Sequence, residues 1–197
     1  LLQFKHRASL DIIWKSFELV PGFKTQSNKN MHQLLAELKG ISLEQSVTIS
    51  NQMADTARQV GLEYNFDKAI PVNSFNAHRF SHLAKHLGLQ DEAEEALFKA
   101  YFTTGRNIDD IPTLVQLGGE IGLDKMEVKN MLETDRYVAE VKQDIQEARQ
   151  RGLTSVPAFV FDDKMTVSGA QDGKIFLEIL EKTFIEWKGQ HASAEVG

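Results

Sequence analysis

The chain contains no cysteine among its 197 residues. This absence excludes disulfide bonds within these residues, and it excludes a cysteine thiolate as nucleophile or metal ligand among them. Proteins without cysteine fit a reducing compartment better than secretion, so the sequence predicts a cytoplasmic location.

Long apolar runs and basic clusters are also lacking. No stretch approaches the roughly 20 apolar residues that a transmembrane helix needs, so no membrane partner is expected. The 28 acidic and 22 basic residues give a net charge of -6. No basic stripe is present to neutralise phosphates, so nucleic acid is not an expected partner. An apolar content of 42% and a charged content of 25% are typical of a globular protein.

Proline is scarce, with 4 residues, and one of them opens an informative segment. Pro157 precedes the β-favouring run Ala158 to Phe161, Asp162-Asp163 supplies a polar turn, and Lys164 to Ser168 is typical of a second strand. The bond between Val156 and Pro157 is a candidate cis peptide bond, because tertiary amides lose most of the trans preference. The segment therefore predicts a β-hairpin.

The remaining chain is mostly helical in its periodicity. One strand is predicted over Leu10 to Leu19, with Trp14 packed in its sheet. Ile175 to Trp187 carries the apolar face of a last helix, and the residues from Gly189 onward are expected to fray. Between them, capping boxes, glycines and prolines delimit helices at about Met31–Leu38, Ser42–Gly61, Ser74–Leu87, Glu92–Phe102, Asp110–Ile121, from Asp124 onward, and Val138–Ala148.

This order of strand, helical block, hairpin and helix resembles the DsbA-like thiol-disulfide oxidoreductase family, in its FrnE-like branch. The resemblance covers essentially the whole chain and rests on the segments Lys15–Leu19, Pro71–Arg79, Lys99–Phe102, Val156–Val160 and Val167–Ala170. It implies an α/β fold, a thioredoxin fold interrupted by a large all-helical insertion domain. The strand at Leu10–Leu19 would then meet the hairpin across the helical block. The implied parts are thioredoxin-like segments at 1–25 and 151–188, a helical domain at 26–150 and a flexible tail at 189–197.

The chain lacks the cysteine that the resemblance implies, because a thiol-disulfide enzyme needs a thiolate. In the family, a first strand and a Cys-x-x-Cys motif come just before the position of Leu1, and Leu1, Leu2 and Phe4 suggest a helix already under way. We therefore expect the first βα unit, with the redox-active disulfide, upstream of the sequence given. A naturally thiol-free relative is the alternative.

The resemblance implies site residues but no catalytic residue within the sequence. Val156 and Pro157 would bind the substrate, with the backbone of Val156 offered to an extended chain. His78 is a candidate cleft residue, since its segment matches a family segment near the domain junction; a histidine bonded to local backbone is the alternative. Glu18 is a second candidate, because a carboxylate near a thiol can transfer protons, although a surface charge is the commoner explanation.

His78, His82 and His86 are candidate metal ligands. Their spacing of four places them along one side of a helix, and imidazole suits zinc. The apolar stripe centred on Phe80 and Leu87 lies roughly opposite, so the row is expected to face solvent or a neighbouring element, with no evident carboxylate to complete the coordination. We therefore expect no metal.

Three functions remain open at this point. The leading one is a protein disulfide oxidoreductase or isomerase, a monomer or homodimer, which acts on thiol- or disulfide-bearing proteins or small molecules and needs no cofactor beyond its own disulfide. A glutathione-dependent transferase or isomerase of the kappa type would carry a serine in place of the first cysteine. A redox-inactive peptide-binding relative is the third. The residues upstream of Leu1 would distinguish them.

Overall fold

The secondary structure is almost entirely helical, with one small sheet. The structure is a computed structural model and describes residues 3–192. A 3₁₀ turn at Arg7–Ser9 comes first, and a π-helical turn at Lys99–Thr103 continues α4. The other elements are α1 (Met31–Lys39), α2 (Leu43–Gln59), α3 (Phe75–His86), α4 (Gln90–Phe98), α5 (Ile111–Glu120), α6 (Lys125–Leu132), α7 (Val138–Gln150), β1 (Ala158–Phe161), β2 (Met165–Ser168) and α8 (Gly173–Ala192).

The contacts divide the chain into two units. The hairpin unit comprises Leu1–Ile13 and Gln146–Gly197, and the helical unit comprises Trp14–Ile145. Residues 14–25 thus belong with the helices by their contacts, whereas the sequence places them with the thioredoxin-like part.

Local capping signals set the helix boundaries, as predicted. The side chain of Ser42 accepts a hydrogen bond from the Gln45 amide, and the Gln45 side chain accepts one from the Ser42 amide, which makes a complete capping box. Asp124 caps α6 through the amide of Glu127 at 2.8 Å. The predicted helices are confirmed, with ends shifted by a few residues.

The core of the helical unit forms around α3. Phe80, Leu83 and Ala84 have no exposed surface and pack with apolar residues of α5 and α6. At Gly118 of α5, an added Cβ would lie 2.7 Å from Cγ2 of Val128. Because the two helices approach so closely there, the site accommodates only glycine without a shift of its neighbours.

Arg79 of α3 is buried and acts as a cap for the end of α6. Its Nε donates to the carbonyl of Arg136 at 3.0 Å, and its Nη atoms donate to Asn76 and to the carbonyls of Leu132, Met131 and Thr134. A guanidinium has five N–H donors, so every donor is occupied. Burial lowers the pKa of Arg79, although the nearby charge of Asp135 opposes the shift.

The predicted strand at Leu10–Leu19 is wrong. Within the described residues no strand forms there, because side chains satisfy the backbone groups that a strand would pair. Gln90 accepts from the amide of Trp14 and donates to its carbonyl, at 3.3 and 3.1 Å. Asp144 accepts from the amide of Ser16 at 3.0 Å. Trp14 consequently packs against Phe98 of α4 rather than in a sheet.

The hairpin unit contains an antiparallel β1–β2 pair with α8 packed on β1. The register pairs Ala158 with Ser168 and Phe161 with Met165. The predicted turn is confirmed, with left-handed backbone at both Asp162 and Asp163. Phe4 is the one fully buried apolar side chain among the described residues of this unit. Large apolar side chains stay exposed at Val156, Phe159, Val160, Ile175, Ile185 and Trp187.

The expectation of a flexible tail from residue 189 is partly wrong. Helix α8 continues to Ala192, and the His191 ring stacks on Trp187 at 4.5 Å. The rest of that expectation, residues 193–197, lies outside the described residues, as do Leu1 and Leu2 of the helix expected at the start. Phe4, the third residue expected in that helix, is not helical, so this part of the prediction is wrong. Over residues 3–192, no helix combines the length and apolar character needed to cross a membrane.

Replacing Arg79 with alanine should lower the free energy of unfolding by about 2–4 kcal/mol, because several carbonyls at the end of α6 would lose buried donors. Urea denaturation measures this loss. Arg58→Ala is the matched control, since its ion pair with Asp55 is exposed and should contribute under about 0.5 kcal/mol. A loss of less than about 1 kcal/mol for Arg79→Ala would contradict the capping role.

Candidate functional site

The loop before β1 carries the predicted substrate-binding residues. The Val156–Pro157 peptide bond is cis, and Pro157 directly precedes β1. The carbonyl of Pro157 accepts a hydrogen bond of 2.8 Å from the amide of Gly169, which ties the loop to the residue after β2. The Val156 side chain is 48% exposed. Over residues 3–192, β1 pairs with β2 alone, so its other edge is unpaired.

Glu18 lies on an open cavity of 590 Å³ in the helical unit. Phe23, Phe75, Asn73 and Asp109 also line this cavity. Asn73 fixes the cavity wall, since its Nδ2 donates to the carbonyl of Phe23 at 2.6 Å and its Oδ1 accepts from the amide of Phe75 at 2.7 Å. Glu18 thus borders a depression large enough for a side chain of a ligand, and its role in proton transfer stays a prediction.

His78 holds the backbone next to Glu18. Its Nε2 lies 3.1 Å from the carbonyl oxygen of Phe17, a partner 61 residues away rather than local backbone. Since a carbonyl only accepts, Nε2 carries a proton. Burial lowers the pKa of His78, and the bond to Phe17 opposes that shift. A direct role of His78 in a cleft stays a prediction.

Asp144 of α7 is the centre of a buried polar cluster. Its Oδ1 accepts from Nζ of Lys15 at 2.8 Å, and its Oδ2 lies 3.0 Å from the amide of Ser16 and 2.9 Å from Nε2 of His82. Burial by itself raises the pKa of Asp144, but the hydrogen bonds from His82, Lys15 and Ser16 outweigh it and hold the pKa well below 3.8. The carboxylate therefore stays charged in the folded protein.

Ser16, His82 and Asp144 are the residue types of a nucleophilic triad, but their geometry does not match one. Oγ of Ser16 lies 3.3 Å from the same Nε2 that donates to Asp144. In a triad, the histidine accepts from serine through one nitrogen and donates to the carboxylate through the other. With the Nε2 proton directed at Asp144, this atom cannot accept the Ser16 proton. The cluster is structural.

A second histidine does lie between a serine and a carboxylate. Nδ1 of His32 is 3.1 Å from Oγ of Ser50, and Nε2 is 3.1 Å from Oδ1 of Asp67. This arrangement has the order of a triad, but Ser50 is only 3% exposed. A substrate could not reach its oxygen, so these bonds serve to hold α1 to α2 and to the turn at Asp67.

The histidine row of α3 does not converge on one point. His82 is buried against Asp144 of the neighbouring helix α7, so the expectation that the row has no evident carboxylate is wrong for this residue. His78 binds the Phe17 carbonyl, and His86 is exposed. Over residues 3–192, no group of three or more His, Asp or Glu side chains is arranged to hold a metal ion.

Sequence reasoning missed Asp144 as a partner of the α3 histidines. The available signal was weak, because Asp144 follows Val141 by three residues and so adjoins the apolar stripe of α7. A carboxylate at such a position indicates a buried partner, but the sequence does not say which residue supplies it.

Asp144→Asn should lower the free energy of unfolding by about 1–3 kcal/mol near neutral pH. The folded pKa of Asp144 lies below its usual 3.8, so its stabilisation is full above pH 3.8 and is lost as the pH falls further. Urea denaturation from pH 6 down to pH 2.5 should therefore show the difference between wild type and variant shrinking below pH 3.8. The exposed Asp55→Asn change is the control and should cost under about 0.5 kcal/mol. A difference that stays constant to pH 2.5 would contradict this assignment.

Comparisons with known proteins agree with this architecture. A probable DsbA oxidoreductase from Streptomyces coelicolor has a crystal structure similar to this chain, with a TM-score of 0.88 and 33% sequence identity; the match covers 94% of this chain and 80% of that chain. The uncharacterized protein YwbO of Bacillus subtilis (strain 168) is 32% identical over 122 residues. That match covers 61% of this chain and 60% of YwbO, so it spans less than two thirds of the relative.

The family model described as a DSBA-like thioredoxin domain matches residues 2–181. This match agrees with the predicted α/β fold, in which a thioredoxin fold is interrupted by helices. The chain belongs to the DSBA-like thioredoxin domain family.

Proposed function

We propose that the protein is a thiol-disulfide oxidoreductase that binds its substrate along the loop at Val156 and Pro157. The observation that carries this proposal is the exposure of this loop, where Val156 is 48% exposed just ahead of the start of β1 at Ala158. An extended chain can bind along such a loop through main-chain hydrogen bonds, largely independently of its side chains. The family match and the similarity to a probable DsbA oxidoreductase support the reaction class. Substrates would be thiol- or disulfide-bearing proteins or small molecules.

The proposal needs a thiolate, and none of the 197 residues is a cysteine. We place it in a βα unit outside these residues, as in the FrnE-like branch. The exposed apolar side chains of the hairpin unit support this, because Phe159, Val160 and Ile175 would be covered by a strand at the β1 edge and a helix after it. A strand antiparallel to β1 would end beside Pro157. A cysteine following that strand would then lie near Val156, at a helix start that lowers its pKa.

The chemistry would be an exchange of sulfur partners. The enzyme thiolate attacks one sulfur of a substrate disulfide, so an enzyme–substrate S–S bond forms while the substrate S–S bond breaks and its other sulfur leaves as a thiolate. A second enzyme cysteine then attacks this mixed disulfide, which leaves the substrate reduced and the enzyme oxidised. The reverse order oxidises a substrate dithiol. Isomerase activity and a cytoplasmic location belong to the same proposal.

The full-length protein should accelerate the reduction of insulin by dithiothreitol, whereas the 197-residue chain should not, because it has no thiol. Turbidity of the precipitating insulin chains reports the rate. A full-length variant with each upstream cysteine changed to serine is the control and should be as inactive as the short chain. Acceleration by the 197-residue chain itself would contradict the proposal. An upstream segment with a lone serine, together with glutathione-dependent activity, would instead favour the hypothesis of a kappa-type transferase or isomerase.

Val156→Pro in the full-length protein should slow insulin reduction by about tenfold, because proline removes the amide that a bound strand would use. Val156→Ala should stay within about twofold of wild type, since it keeps the amide and changes only the exposed side chain. Thermal unfolding of both variants checks that the fold is retained. Equal rates for the two variants, both folded, would argue against main-chain binding at this position.

A further inference from the structure

Two aromatic rings on the helical unit stay exposed although they contact each other. Trp14 and Phe98 are 38% and 44% exposed, and their ring centroids lie 5.8 Å apart at an angle of 61°. We call the surface formed by Trp14, Phe98 and the neighbouring Asp91 and Glu95 of α4 the α4 face. An exposed aromatic pair is unfavourable in water, so its retention requires an explanation.

The Trp14 ring is fixed in place despite its exposure. Its indole Nε1 donates to Oδ1 of Asp91 at 2.7 Å, and its backbone amide and carbonyl both bond to the side chain of Gln90. Phe98 rests against Phe102 at 6.2 Å. Because the rings are already ordered, a ligand that covers them would lose little further conformational entropy in binding.

Two acidic side chains share the helix face that carries Phe98. Asp91, Glu95 and Phe98 recur at i, i+4 and i+7, so they share one face of α4. Within residues 3–192, neither carboxylate forms an ion pair, and Lys99, one turn after Glu95, does not reach it. Like charges at i, i+4 destabilise a helix slightly. Asp91 lies in the first turn of α4, where the helix dipole stabilises a negative charge, but Glu95 lies beyond that turn.

We propose that the α4 face docks a basic segment of a partner protein. A lysine or arginine side chain lying over Trp14 and Phe98 would gain a cation–π interaction and cover apolar surface. Its charge would meet Asp91 and Glu95 and relieve their mutual repulsion. The carboxylates select against acidic partners in the same way. The α4 face belongs to the helical unit, and its docking role does not depend on the proposed redox function.

The test is an NMR titration of the ¹⁵N-labelled full-length protein with a short peptide of alternating glycine and lysine. The indole N–H signal of Trp14, assigned by its loss in Trp14→Phe, should shift in a saturable way, and the glycine–glutamate counterpart should cause no shift. Phe98→Ala should weaken binding about fivefold through loss of one ring. Glu95→Lys should weaken it about tenfold.

Glu92→Lys is the matched control, because it makes the same charge change on the same helix about 120° away from Phe98. It should weaken binding less than twofold. Equal weakening by Glu92→Lys and Glu95→Lys would overturn the proposal, since it would indicate general attraction to a chain of net charge -6. An unmoved indole signal would overturn it as well. So would a shift that depends on protein concentration alone, because the α4 face would then bind a second copy.

Discussion

The helical unit depends on one constraint, that the buried polar side chains of α3 must each reach a partner. A buried donor left without one costs about 1–3 kcal/mol. His78 reaches the carbonyl of Phe17, Arg79 reaches the end of α6, and His82 reaches Asp144 of α7. One helix therefore holds an extended segment that precedes it by some 60 residues and two helices that follow it. The segment that carries Glu18 keeps its extended path because of these bonds, although it belongs to no sheet.

Helix ends and the hairpin could be predicted because their signals are local. The capping box at Ser42 and the turn at Asp162 are complete within four residues, so the sequence contains both partners side by side. Leu10–Leu19 has the same β-favouring composition as β1, yet it forms no strand. Its hydrogen-bond partners are side chains of Gln90 and Asp144, which lie 76 and 128 residues away along the chain. β-propensity describes a fit to a half-buried surface, and it does not say whether another strand is available to pair.

The same difference between local and distant partners explains which parts of the candidate site could be predicted. The position of Val156 and Pro157 just before a hairpin could be predicted because the residues that define the hairpin follow immediately. The carboxylate beside the histidine row could not be predicted, because a helical wheel does not show which residue of a neighbouring element packs opposite the apolar stripe. Helix α3 is buried on nearly every side, with His82 and Ser81 enclosed like Phe80. On such a helix a histidine indicates a buried acceptor, and the wheel cannot locate Asp144 on α7.

The hairpin unit has the opposite character from the helical one. Among its described residues, the sheet has one helix against it and an unpaired edge, and Phe4 is the single buried apolar side chain of the unit. A two-stranded sheet is marginal in water by itself and gains stability from further strands or helices. The proposed βα unit would meet this need and the need for a thiol together. Its strand would complete the β1 edge, its helix would cover one face of the sheet, and the turn between strand and helix would bring the sulfur to Pro157. The strand and the helix of this unit would supply the packing, and the cysteine would supply the chemistry. A point mutation of the cysteine should therefore leave the hairpin unit folded while abolishing thiol-disulfide exchange.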